Sequence, residues 1–234
     1  MSPDRAIEAT QRGLRASRGF LVVHSGLISL VFVLAFVTAC VALQWLRTDL
    51  DWRLAPMSSY LKGPYGGWLR LAYYGLGAGL ALLGQGLFHA VQPARNRLPT
   101  RLLALGGIAL VITAITETDL PYLVRSQELL LHQLAALITF TSVTLAMVLQ
   151  SWHFRGHDDW RAHFRRAFVL AVASFIGLGI YAFERGLPAN LELPEGFMQK
   201  IVITMIVLWL GFVAWCLHRV QVDASRKSLS HQTQ

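Results

Sequence analysis

Apolar residues gather along this chain in six long runs, near 20–45, 68–92, 101–118, 129–152, 167–184 and 197–218, with short polar stretches between them. Read in windows of about 19 residues, each run is long enough to cross a bilayer. Roughly 20 helical residues at 1.5 Å rise span the ~30 Å hydrocarbon layer. The third and fifth runs are the shortest, so their ends are the least sharply defined. The pattern predicts an all-α, polytopic transmembrane bundle of six helices. Residues 1–19 form a segment before it, 20–218 the membrane domain, and 219–234 a short solvated tail. Heptads, low-complexity runs and linkers that would mark a second domain are missing, and no three-plus-three repeat of the transporter kind stands out.

Composition sharpens this picture. Of 234 residues, 54% are hydrophobic and only 15% charged, which is too apolar for a soluble domain. The opening stretch MSPDRAIEATQRGLRASRGF has four arginines and two acids but no cleavage-like site, and the run after it is too long for a signal-peptide core. The first run is therefore expected to be retained as a helix. Cys40 and Cys216 both fall inside apolar runs, where a thiol behaves as a small hydrophobe. A disulfide between them stays open, and their count says nothing about compartment.

Charge sets the orientation. If the amino terminus is cytoplasmic, fourteen Lys and Arg fall on that side, from Arg5 through the Arg95–Arg101 and Arg155–Arg166 loops to Lys227. Seven fall on the other side (Arg47, Arg53, Lys62, Arg70, Arg125, Arg185 and Lys200), diluted by acids such as Asp49, Asp51, Glu128 and Glu195. A bias sustained over every loop argues for both termini inside. The net charge of +8 is thereby explained by topology. Nucleic acid is not an expected partner. Membrane lipids are, since basic loops meet anionic headgroups, and homo-oligomerisation is left open. Trp45, Trp68 and Trp152 sit at run ends, as interfacial indoles do, whereas Trp209 and Trp215 lie further inside and read as packing residues. Gly75, Gly77, Gly79, Gly84 and Gly86 fill the second run, and small residues let helices approach closely in lipid. That helix is expected to be central.

Ionisable groups within or at the mouth of a span are costly and mark functional candidates. On the outward side they converge. The first outward loop, RTDLDWRLAPMSSYLKGPYGGW, offers Asp49, Asp51, Ser58, Ser59, Tyr60 and Lys62. The third run ends TAITETDLPY, with Glu117 at the membrane edge and Asp119 beyond it. His132 follows Glu128 by four residues, on one helix face. Glu184 and Arg185 close the fifth run, and Gln199 and Lys200 open the sixth. A carboxylate, an imidazole and an arginine at one depth serve a structural salt-bridge network, ligand or lipid binding, or proton transfer, since an imidazole titrates near pH 6.5. Ser58 and Ser59 beside Pro56 read equally as turn residues or a nucleophile. No G-x-S-x-G, H-E-x-x-H or glycine-rich phosphate loop occurs.

On the inward side, SWHFRGHDDWRAHFRR carries His153 and His157 at a four-residue spacing that, on one helix, would suit a metal with Asp158 or Asp159. A solvated basic loop accounts for the same residues, and no metal is assigned. His24, His89 and His218 sit at inward helix ends, where two of them would be axial ligands in a haem-bearing electron carrier. No pair lies on one helix at a diagnostic spacing, and the cofactor is left unassigned.

The order of short motifs carries a resemblance: P-M-S-S-Y after the first helix, a glycine-rich second helix, an acidic third-helix end before Pro121, H-Q-L-A-A in the fourth, E-R-G after the fifth, and G-F-M-Q-K-I opening the sixth. Over roughly residues 20–218 the chain resembles the bacterial integral-membrane family catalogued as domain of unknown function 998. The resemblance implies a six-helix bundle, and maps the family's loop serine onto Ser58 or Ser59, its fourth-helix histidine onto His132 and its Glu-Arg pair onto Glu184 and Arg185. It supplies no activity. Where that family's pattern has a Phe-Pro-Thr-Asp-like run, this chain has TETDLP, so the acidic role is open between Glu117 and Asp119. The alkaline ceramidase and adiponectin-receptor hydrolases are more distant, since they need three zinc-binding histidines and the outward face offers only His132.

The sequence thus points to an outward polar pocket that binds a lipid or other amphiphile through His132, Glu117, Glu184, Arg185, Tyr60 and Gln199. The competing class is a membrane enzyme with His132 as acid/base and Glu117 or Asp119 as its orienting carboxylate. A reporter that works only in the cytoplasm is expected to be active when fused after Gln234 and silent when inserted beside Asp51; the reverse pattern would invert the topology.

Overall fold

The helices of this chain end where its hydrogen-bonding and charge pattern changes, and only partly where its apolar runs end. In the computed structural model, residues 21–91, 96–117, 125–185 and 193–232 are described. Six long helices cover most of them: α1 Ser25–Leu46, α2 Gly66–Ala90, α3 Leu98–Ile115, α4 Arg125–His153, α5 Asp158–Glu184 and α6 Glu195–Gln232. All six are long and apolar enough to span a bilayer. Inside hydrocarbon an unpaired peptide group has no water to turn to, so a helix, which satisfies its own backbone, is the form these runs must take.

The apolar windows misplace two boundaries. Helix α5 begins at Asp158, well before the apolar run near 167, because DDWRAHFRR is a good helix start: Asp158 and Asp159 lie in its first turn, favourable to the helix dipole. Helix α6 runs on to Gln232 through residues first read as a solvated tail, since nothing in RVQVDASRKSLSHQ breaks a helix. The connection between α4 and α5 is correspondingly short. Helix α4 stops at His153, a 3-10 turn covers Phe154–Gly156, and His157 precedes α5. His153 and His157 therefore do not share a helix face. Among the described residues no group of three metal-ligating side chains gathers anywhere.

Each helix packs on its neighbour in sequence, and α6 returns to α1, so the six form a closed ring, with a lighter contact across it between α2 and α6. Leucine, isoleucine and valine cover the outside as well as the inside; Leu71, Ile108 and Val169, for example, are 60–69% exposed. Lipid is as apolar as leucine and gives no hydrophobic drive between helices, so close packing and polar contacts must hold the ring together. Small residues supply both. A Cβ on Gly77 would lie 2.7 Å from Gly107 O, and one on Gly107 would lie closer still to Gly77 O, so α2 and α3 meet backbone to backbone. Hydroxyls exploit the same proximity: Ser29 Oγ of α1 donates to Gly79 O at 2.9 Å and Thr100 Oγ1 of α3 to Gly84 O at 3.1 Å. The glycine-rich α2 is thus the helix that joins α1, α3 and α6.

The indoles divide by depth. Trp45, Trp68 and Trp152 are at least half exposed at helix ends, while Trp209 is fully buried and donates from Nε1 to Ser151 Oγ of α4 at 2.9 Å. Trp215, read from sequence as a packing residue, is 49% exposed and lies against Arg219. Cys40 and Cys216 are unbridged. They could not meet without rearrangement, because α1 and α6 run in opposite directions and place one thiol toward each end of the bundle. Of the three histidines considered as haem ligands, His24 precedes α1, and His89 and His218 lie in α2 and α6, all at the end of the bundle where α1 begins.

The backbone contact between Gly77 and Gly107 is the tightest test of this packing. Gly107→Val is expected to destabilise the protein in a detergent thermal melt, by about 1–3 kcal/mol from overpacking. Gly179→Ala, where an added methyl meets nothing within 4 Å, should leave the melt unchanged.

Candidate functional site

At the end of the bundle opposite the chain ends, the loop between α1 and α2 folds over the ring and is held by buried polar groups. Its organiser is Arg47, just past α1 and 5% exposed. The guanidinium makes a two-pronged contact with Asp49, Nε to Oδ1 and Nη2 to Oδ2, both at 2.8 Å. From Nη1 it also donates to Lys62 O and, at 3.5 Å, to Pro64 O. The planar fork suits this double duty, which the point charge of a lysine would not serve. Arg47 thereby holds a turn in which both Gly63 (φ 75°) and Tyr65 (φ 63°) are left-handed, a conformation that costs a tyrosine energy and needs outside support.

The start of α6 grips the same loop from the other side. Lys200 Nζ donates to Trp52 O at 2.8 Å and Ala55 O at 2.6 Å. Phe197 N donates to Arg53 O at 2.8 Å, and Gln199 Oε1 accepts from Met57 N at 2.7 Å. Tyr60, with no exposed surface, donates its hydroxyl to Gln44 Oε1 at 3.2 Å, and its burial pushes the phenol pKa up. Tyr60 is thus a pin of the loop and does not line the cavity beneath it.

The third grip brings the sequence candidates together. Lys62 Nζ lies 2.8 Å from Glu117 Oε2 at the end of α3, and Glu117 Oε1 lies 3.2 Å from His132 Nδ1 of α4. Nδ1 is also 3.2 Å from Thr113 O and 3.3 Å from Thr116 Oγ1. A carbonyl and a carboxylate can only accept, so Nδ1 carries the proton and the ring is fixed in one tautomer. Thr113 and Glu117 fall one turn apart on one face of the chain leading out of α3, which is why both reach a single imidazole. His132 is only 9% exposed.

His132 also lines a cavity on the bundle axis, together with Ser58 of the loop, Thr139 of α4, Gln199 of α6, the aromatic rings of Phe36, Tyr73 and Phe140, and aliphatic residues of α2, α3, α4 and α6 such as Leu80, Leu110, Val143 and Leu210. It is a slot of about 80 Å³. From the level of His132 and Gln199 to that of Val143 and Leu210 it extends roughly 16 Å along the helices. Its polar groups crowd the loop end, and the walls below are almost wholly apolar. Ser59 does not line it.

Glu184 and Arg185 belong elsewhere. Arg185 Nη1 contacts Glu195 Oε1 and is 3.1 Å from Tyr181 Oη, which itself donates to Glu195 at 3.2 Å. With Glu184, Leu193 and Met198 these residues line a separate small pocket of about 100 Å³ between α5 and α6. Asp119 lies outside the described residues. Sequence reasoning passed over Arg47, whose signal was an arginine closing an apolar helix two residues before an aspartate. It also passed over Gln44, Thr113 and Thr116, polar residues one turn from their helix ends.

Six helices long and apolar enough to span a bilayer, set around an axial slot with a histidine-carboxylate pair beneath a braced loop, define a multi-pass helical membrane protein. The chain belongs to the family described as protein of unknown function DUF998, whose model matches residues 19–216. No curated protein and no solved structure matches it.

Arg47→Leu is expected to cost about 1–3 kcal/mol, the penalty of leaving buried carbonyls unpaired, and to make residues 47–65 sensitive to protease. The Arg47 guanidinium holds the Asp49 carboxyl below its ordinary value. A carboxyl with a depressed folded pKa contributes fully above the unfolded pKa and loses that contribution as pH falls through the folded one. The wild-type loop should therefore loosen in acid below about pH 4, whereas Asp49→Asn should remove that part of the pH dependence.

Proposed function

We propose that the protein binds an amphiphile in the axial slot, its chain between the apolar walls and its head against His132, Ser58 and Gln199. The observation that carries this reading is the segregation of the slot: polar groups at the loop end, apolar walls for the remaining length. A thin slot of that shape suits an alkyl chain better than a bulky ring. The charge bias of the loops favours both chain ends in the cytoplasm, and the resemblance to a bacterial family favours a plasma membrane, which turns the braced loop outward and gives the slot a role at the outer leaflet.

A second reading has one observation in its favour. His132 Nδ1–H is turned to Glu117 at 3.2 Å, the arrangement in which a carboxylate orients an acid/base imidazole. On this reading the bound amphiphile is a substrate.

Native mass spectrometry of the detergent-purified protein tests both. Wild type is expected to keep an amphiphile adduct that is lost in Val143→Trp, which fills the slot; a bare wild-type mass after lipid addition would overturn the binding reading. His132→Ala should weaken retention under simple binding. Under catalysis it should keep the adduct and abolish turnover.

A further inference from the structure

The rim of the slot restricts what head an amphiphile can bring, an inference that rests on the binding reading above. Among the described residues, no Asp, Glu, Lys or Arg lines the slot. The charges nearest its mouth are committed to one another or to the backbone. Lys62 is on Glu117 and Arg47 on Asp49, each at 2.8 Å. The ammonium of Lys200 is taken by the carbonyls of Trp52, Ala55 and, at 3.4 Å, Gly196. The arginine of the neighbouring pocket, Arg185, is on Glu195. An anionic head would enter an apolar slot and meet no Lys or Arg among its described lining residues, and a buried charge without a partner is strongly disfavoured. A cationic head fares no better, because Glu117 already serves Lys62 and His132.

What the rim does offer is neutral and directional. In the tautomer that keeps its proton on Nδ1, turned to Thr113 O and Glu117, the His132 ring that lines the slot leaves Nε2 as an acceptor that asks for an O–H or N–H. Gln199 has the opposite demand. Its Oε1 is held by Met57 N–H, so its two amide hydrogens remain as donors that ask for a carbonyl or ether oxygen. Ser58, between these preferences, can give or accept. Thr113 and Thr139 add no competing claim, since each hydroxyl donates to a carbonyl of its own helix at 2.9 Å.

We infer that the slot selects an uncharged lipid whose head carries a hydroxyl beside an acyl carbonyl, the chemistry of a monoacylglycerol. The hydroxyl donates to His132 Nε2 and the carbonyl accepts from Gln199. Fatty acids and phosphate-bearing lipids of the same chain length are excluded by charge. An N-acyl amino alcohol shares the hydroxyl-carbonyl chemistry and is the other source of such a head.

The test uses the full chain in detergent and native mass spectrometry with five probes of one chain length: 1-oleoylglycerol, N-oleoylethanolamine, methyl oleate, oleate and 1-oleoylglycerol 3-phosphate. The expected result is occupancy by 1-oleoylglycerol, N-oleoylethanolamine or both at least tenfold above either anion. Methyl oleate, which lacks the hydroxyl, should fall about tenfold below whichever of the two binds better. Gln199→Leu should reduce that probe's occupancy by a similar factor without bringing the anions up. Equal or stronger binding of oleate or the phosphate would overturn the selection while leaving the amphiphile reading intact. No adduct with any probe would overturn both. The wild-type comparison decides the matter even if the variant fails to fold.

Discussion

Six helices packed side by side in a closed ring leave space on the axis that their side chains must fill, and here the filling is incomplete between α2, α3 and α4 on one side and α6 on the other. The ring closes because glycines let α2 approach α3 at backbone distance and let serine and threonine hydroxyls reach carbonyls of the next helix. Deeper in the bundle the indole of Trp209 reaches across from α6 to Ser151 of α4. Toward the loop end the two helices are bridged through the loop above them, and there the slot opens. The cavity is thus a product of ring closure, and no single residue was needed to carve it.

That geometry decides the chemistry of the loop end. A loop laid across the mouth of an apolar slot has to satisfy its own backbone, and it does so with groups from four helices: Arg47 from the end of α1, Arg70 from α2, Gln199 and Lys200 from α6, and Glu117 from the end of α3 through Lys62. Each cation is consumed in the bracing. The polar groups left to face the slot are therefore uncharged, and the proposed selectivity for a neutral head follows from the way the loop is held rather than from a dedicated recognition motif.

His132 joins the two levels. Its Nδ1 belongs to the bracing network and its ring lines the slot, so a change in loop position transmitted through Lys62 and Glu117 would be felt directly there. Whether the proposed amphiphile is held or transformed, this is the side chain through which loop and cavity are coupled.

The number of spans, the all-α class and the family were legible in the chain itself, because twenty apolar residues have one stable form in lipid and short motifs keep their order. So was the joining role of the glycine-rich helix, since small residues mark close approach wherever they occur. The sequence also put Glu117 and His132 at one end of the bundle, which follows from counting spans. It could not say that they touch, that Glu184 and Arg185 turn to a different pocket with Glu195, or that Arg47 organises the loop, because those depend on helix rotation and on which ring neighbour each face meets. A hydropathy profile contains no such angle. Lipid-facing and core-facing positions are almost equally apolar here, so no amphipathic stripe fixes the rotation of each helix, and only packing in three dimensions decides it.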